Sequence, residues 1–177
     1  MGTARTFQNF GAETDPAANA PAAVTSTASS GTAPTNGSQL RFRSRAFDKD
    51  TDQTLHLYFY LGADYYSGGS LVFKYLTTVT ANAVVWKTAS VLVHPASEGS
   101  PTDLDAAVFG TVTAATASTV PSTAGQTKEM SIDLGLSGAH GGDLLVVMLG
   151  RDADNAADNA AASALLLEPW YLTYTTV

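Results

Sequence analysis

Asp48-Lys49-Asp50-Thr51-Asp52 sets three carboxylates at alternate positions in a short polar stretch between two apolar ones. Oxygen ligands spaced in that way on a bend converge on a hard cation such as calcium. The motif stops there, because Gln53 stands where a calcium loop has its turn glycine and the twelfth position is Phe59 rather than a glutamate. A plain solvated hairpin loop is the competing reading. A second acidic run, Arg151 to Asn159, offers Asp152, Asp154 and Asp158 as further cation ligands. Against that stands a structural role, with Asp and Asn side chains bonding turn amides and Arg151 pairing with a nearby carboxylate.

Other chemistry-bearing residues are sparser. His56, His94 and His140 are far apart, and none has a second ligand at helical or hairpin spacing, so the sequence does not read as a zinc site. Arg41, Arg43 and Arg45 share one face of an alternating segment. Such a stripe either holds an acidic partner surface or is an exposed face balanced by Asp48, Asp50 and Asp52. Glu129 and Asp133 are the best carboxylate pair for acid/base work, but both fall on the polar side of a strand pattern. Tyr58, Tyr60, Tyr65, Tyr66, Trp86 and Trp170 offer faces for stacking on a sugar ring, against the alternative of core and inter-subunit contacts. There is no G-x-S-x-G, no phosphate loop and no dinucleotide fingerprint, so the expectation is a protein that is not an enzyme and uses no cofactor.

The elements that carry these residues are strands. Thr54 to Leu61 sends Leu55, Leu57, Phe59 and Leu61 to one face and His56, Tyr58 and Tyr60 to the other. Similar patterns predict strands over Gln39 to Phe47, Leu71 to Thr78, Asn82 to His94, Ala106 to Ala115, Lys128 to Leu134 and Ala164 to Thr175, with Asn82 to His94 long enough to bend or bulge midway. Leu144 to Leu149 is a near-continuous apolar run, which predicts a strand buried on both faces. A helix is plausible only as a turn or two within Asp154 to Ser163. Eight strands joined by long crossovers predict an all-β fold, a single antiparallel β-sandwich of the jelly-roll type, with an immunoglobulin-like sandwich as the alternative.

Ahead of this body, residues 1–38 are almost entirely Ala, Thr, Ser, Pro, Gly and Asn; after Met1 the sizeable apolar side chains are Phe7, Phe10 and Val24. The chain therefore divides into an N-terminal arm, 1–38, and a sandwich domain, 39–177. The arm is too poor in apolar side chains to offset its own ordering entropy, about 1 kcal/mol or more per residue, so it needs a surface to order on. One reading docks Arg5, Phe7 and Phe10 onto a neighbouring subunit by strand addition; the other makes the arm a tail or linker. The whole chain has 177 residues, a formal charge of −7 and no cysteine. The charge argues against direct nucleic-acid binding, and no stretch approaches the roughly 20 apolar residues of a membrane-spanning helix. Stability rests on packing alone, without disulfides.

From Leu144 onward, an apolar strand, the turn Arg151-Asp152-Ala153-Asp154-Asn155-Ala156-Ala157-Asp158, an alanine-rich link and Leu165-Leu166-Leu167-Glu168-Pro169-Trp170-Tyr171-Leu172-Thr173-Tyr174 resemble the ending of β-sandwich structural proteins of tailed bacteriophages. The resemblance implies a virion location and a symmetric oligomer, commonly a homotrimer. Its first functional expectation is a capsid decoration protein that holds the major capsid protein or other virion subunits through the arm and the arginine stripe. The alternative is a receptor- or carbohydrate-binding module of a fibre or tail.

Overall fold

The computed structural model describes residues 2–7, 13–14, 23–28, 41–97, 100–114 and 117–177. Thirteen strands follow in order: β1 (Gly2–Phe7), β2 (Glu13–Thr14), β3 (Ala23–Ala28), β4 (Arg41–Phe47), β5 (Gln53–Tyr60), β6 (Tyr65–Leu76), β7 (Ala83–Val84), β8 (Trp86–Val93), β9 (Thr113–Ala114), β10 (Ser118–Thr119), β11 (Lys128–Asp133), β12 (Leu144–Arg151) and β13 (Ala164–Thr176). Among the described residues there is no helix.

Two antiparallel sheets carry the core. One runs β11-β6-β13-β4-β3, with β1 also on β13; the other runs β2-β5-β12-β8-β9. Along the body the chain alternates between them, so that β4-β13-β6-β11 faces β5-β12-β8-β9. That wrapping of successive strands onto opposite sheets is the jelly roll, and the fold is the all-β sandwich that the alternation predicts.

Period-2 patterning places the core. Leu55, Leu57 and Phe59 of β5 and Leu145, Val147 and Leu149 of β12 lie inward and are essentially inaccessible to solvent. From the other sheet, Leu71, Phe73, Tyr75, Leu166 and Leu172 meet them. Trp86 sits at the centre, taking Phe47, Phe73 and Tyr75 edge-on at ring-centroid distances of 5.1, 5.1 and 5.4 Å. Edge-to-face arrangements suit the ring quadrupoles and contribute beyond the area buried.

Three local expectations change, and the bend expected within Asn82 to His94 is located. Among the described residues of 106–114, Thr113–Ala114 pairs with β8 and the rest is irregular, with Val108 and Val112 exposed. A run of apolar residues forms a strand only where a sheet edge accepts it, and here the chain instead crosses the sheet, with Gly110 donating its N–H to the Ser90 carbonyl. The strand β12 is fully buried on one face only; Leu144, Val146 and Met148 on the other are half-buried. Asp154 to Ser163 forms turns instead of helix, because Asn155, Asp158 and Asn159 accept the backbone N–H groups of Ala157, Val85 and Ala83 in competition with helical bonding. The segment from Asn82 to His94 breaks at Val85, whose N–H and carbonyl are taken by the loop after β12.

The described pieces of the arm lie on the body's own sheets. Gly2–Phe7 pairs with Thr176–Tyr171, Glu13–Thr14 with His56–Leu55, and Ala23–Ala28 with Ala46–Arg41.

Candidate functional site

The two acidic loops, read separately in the sequence, meet in space. Asp52, Asp152 and Asp154 bring carboxylate oxygens within 4.8 Å of one another at the end of β5 and β12. The cation between them is supplied by the chain itself. Lys87, projecting from β8, donates through Nζ to Asp52 Oδ2 and, at 3.0 Å, to Asp152 Oδ1. The other oxygens are used as well: Asp52 Oδ1 accepts the Ala153 N–H at 2.7 Å and Asp152 Oδ2 accepts Asn155 Nδ2 at 2.8 Å. Burial works against the charge on Asp152, but the bonds from Asn155 and Lys87 outweigh it and hold the carboxyl below its ordinary value. For Lys87 burial likewise opposes the charge, and the two aspartates overcome it, raising the ammonium's pKa.

Of the calcium candidates, the structure brings Asp52, Asp152 and Asp154 together and gives Asp48 and Asp50 separate surroundings. Asp48 Oδ1 accepts the Asp50 N–H at 2.8 Å in a local turn, Asp50 pairs with Lys49 at the surface, and Asp52 turns away to Lys87. The three carboxylates have separate partners. Asp158 is not a cation ligand. Its side chain and that of Arg151 are both fully buried, joined by Nε to Oδ2 at 2.9 Å and Nη2 to Oδ1 at 2.6 Å. Arg151 also donates to the carbonyls of Ala160 and Ala162, and Asp158 Oδ2 accepts the Val85 N–H. The structural alternative for this loop is the one realised.

The arginine stripe changes meaning. Arg45 is 7% exposed and pairs through Nε with Glu168 Oε1 at 3.3 Å, so it presents no charge to a partner. Alternation alone assigned it to the polar face, but β3 and β13 flank β4 and Glu168 meets it across the sheet. The side chains of Arg5, Phe7, Arg41 and Arg43, and Phe10 altogether, lie outside the described residues.

The aromatic residues divide by face. Trp86, Trp170 and Tyr65 are buried. Tyr66 is exposed on the outer face of the β6 sheet, whereas Tyr60 is exposed on the outer face of the β5 sheet. Beside Tyr60 the register sets Leu144 and Val93 in one row, and Tyr58, Val146 and Val91 in the next. One row further, Phe109 of the crossing loop covers His56, with ring centroids 5.0 Å apart. The result is an aromatic and aliphatic strip that is covered at its middle and open at the Tyr60 end. A separate cleft of about 390 Å³ beside β8 is lined by Thr88, Ser90, Thr111, Thr113 and Asp133 and has no aromatic wall.

Just past the Tyr60 row, the chain brings together two histidines that their sequence separation keeps apart. His94 follows β8, His140 lies in the turn before β12, and their rings are 5.7 Å apart over the buried carboxylate of Asp143. The sequence hint was the position of each at the end of a strand, since the ends of neighbouring strands meet.

No family model matches the chain, and no curated protein matches it. Among solved structures it is similar to TmCBM61, solved in complex with β-1,4-galactotriose, at 12% identity and a TM-score of 0.38 over 76% of this chain and 71% of the other. It is also similar to the CBM22-1 xylan-binding domain of Paenibacillus barcinonensis Xyn10C, at 14% identity and a TM-score of 0.39 over 98% of this chain and 86% of the other. At that level of similarity neither neighbour speaks to ligand or residues.

Proposed function

We propose that this chain is a non-catalytic binding module that holds a carbohydrate on the outer face of the β5 sheet, as the receptor- or glycan-binding part of a larger assembly. The observation that carries it is Tyr60, 54% exposed at the open end of a strip shared with Tyr58, Leu144 and Val93. A half-exposed tyrosine beside aliphatic side chains offers a flat apolar face to a pyranose ring. The exposed imidazole of His140 lies at the same end of the sheet and supplies a polar group for ring hydroxyls.

Binding to a panel of soluble polysaccharides, read by affinity electrophoresis, tests this. Tyr60→Ala is expected to weaken retention about tenfold, equivalent to roughly 1.4 kcal/mol, while Tyr66→Ala on the opposite face leaves it unchanged. Absence of binding across the panel, or equal loss from both variants, overturns the reading.

A second reading, a capsid decoration subunit that contacts the major capsid protein or copies of itself, is favoured by a different observation. Leu104, Val108 and Val112 are 66%, 80% and 50% exposed on the loop that crosses the β5 sheet. Three apolar side chains on one loop are suited to a protein contact.

A further inference from the structure

We propose that His94, His140 and Asp143 form a site for a divalent transition-metal ion, with zinc as the ion best matched to two imidazoles and one carboxylate. His94 Nδ1 is 3.0 Å from Asp143 Oδ1, and His140 Nδ1 is 3.9 Å from Asp143 Oδ2. Ligand atoms from all three residues fall within 4.8 Å of one another. Two ligands each about 2.0–2.2 Å from a common zinc stand roughly 2.9–3.5 Å apart in tetrahedral or octahedral geometry. The His94–Asp143 pair already has that separation, and the exposed His140 closes in to complete the set.

The backbone around these groups is fixed before any ion arrives. His94 donates its N–H to Thr102 Oγ1 at 2.9 Å and accepts the Thr102 N–H at 3.1 Å, which ties the end of β8 to the crossing loop. The Asp143 carbonyl accepts the Leu61 N–H at 2.9 Å, and Leu61 in turn accepts the Gly142 N–H at 2.9 Å. The turn from His140 to Asp143 depends on its two glycines. A Cβ on Gly141 would stand 2.8 Å from the Gly62 carbonyl oxygen and 2.9 Å from that of Ala63, and Gly142 has φ of +99°. Asp143 Oδ2 accepts the His140 N–H at 2.7 Å, which orients the carboxylate and leaves Oδ1 aimed at His94.

Without metal, His94 Nδ1–H donates to Asp143 Oδ1. Zinc replaces that proton, and the imidazole then carries its hydrogen on Nε2. The Asp143 side chain is fully buried whereas that of His140 is 65% exposed, so the ion enters from the solvent side. Bound there, the ion joins the end of β8 to the turn before β12.

The test uses the full chain, free of any histidine tag and stripped with chelator, titrated with zinc chloride by calorimetry and with Co²⁺ by visible absorption. One ion per chain at micromolar concentration is expected, with a rise in thermal midpoint that chelator reverses. His140→Ala, a surface change that does not threaten folding, and His94→Ala are each expected to cut affinity at least about tenfold, since each removes a direct ligand. Asp154→Asn, in the Lys87 cluster, should leave uptake unchanged. No uptake at about 100 μM zinc, uptake undiminished in both histidine variants, or uptake abolished by Asp154→Asn overturns the proposal.

Discussion

Arg151 is the side chain on which the β12 end of the sandwich depends. Its guanidinium and the Asp158 carboxylate are both fully out of solvent, and each satisfies the other together with three backbone groups. Removing one partner strands the other charge. Arg151→Met is therefore expected to cost about 3–5 kcal/mol, read from urea midpoints, and Arg151→Lys to cost less while losing the two-pronged pairing. A double change of Arg151→Met with Asp158→Leu should recover much of the loss, because it leaves no buried charge unpaired. Lys87, Asp52 and Asp152 behave differently because they reach solvent, and their contribution is visible as pH dependence. Asp152 has its carboxyl depressed below the ordinary 3.8, so its contribution is complete above that value and is lost as pH falls through the folded one. Lys87 is raised above 10.5, so its contribution is complete below that value and is lost as pH rises through the folded one. The stability gap between wild type and Lys87→Met should thus be widest from about pH 5 to 10 and close at both extremes; a gap constant from pH 2 to 12 would show that the cluster contributes only packing.

At the scale of elements, β13 decides the architecture. Over Ala164–Leu167 it has β4 on one side, and over Tyr171–Thr176 it has β1 there, with β6 along the other side. The register shifts between these halves, at the cis Glu168–Pro169 peptide, where proline cannot donate to a ladder. Deleting residues 2–7 removes six cross-strand pairs and opens the edge of β13. The expected result is a folded protein that is less stable by roughly 1–4 kcal/mol and self-associates with concentration, checked by thermal melts and light scattering. Retention of full stability and of a single dispersed species would mean that β1 contributes nothing to the edge. The sequence makes most of this body legible, since alternation in Leu55–Leu61 and Met130–Leu134 reports directly which face is buried. It misplaced Ala106 to Ala115 because alternation says nothing about whether a sheet edge is available to pair with. It also missed the His94–His140 meeting, which comes from strand ends brought side by side through β12. Residues 1–38 carry few apolar side chains, so their strands leave almost no period-2 signal; they are specified by backbone bonding to β4, β5 and β13.

The molecule as a whole is an acidic, cysteine-free sandwich with two dissimilar outer faces. One bears Tyr60 and the crossing loop with Leu104, Val108 and Val112; the other bears Tyr66 and Lys74. If the loop is a subunit contact, light scattering should give a homo-oligomer, a trimer on the phage resemblance. Replacing Leu104, Val108 and Val112 together by serine should yield monomers of unchanged melting temperature. A wild-type monomer at about 100 μM would remove the support for that contact. The pairing of Gly2 with Thr176 has a consequence in time. The strand β1 is made before its partner stretch of β13, so at roughly 5–20 residues per second the segment waits on the order of 10–30 s for its place in the sheet. A strand rich in valine and isoleucine would spend that interval seeking other edges. Apart from Phe7, β1 has little to bury while it waits, so its plain composition gives it little to seek on other edges until β13 arrives to receive it.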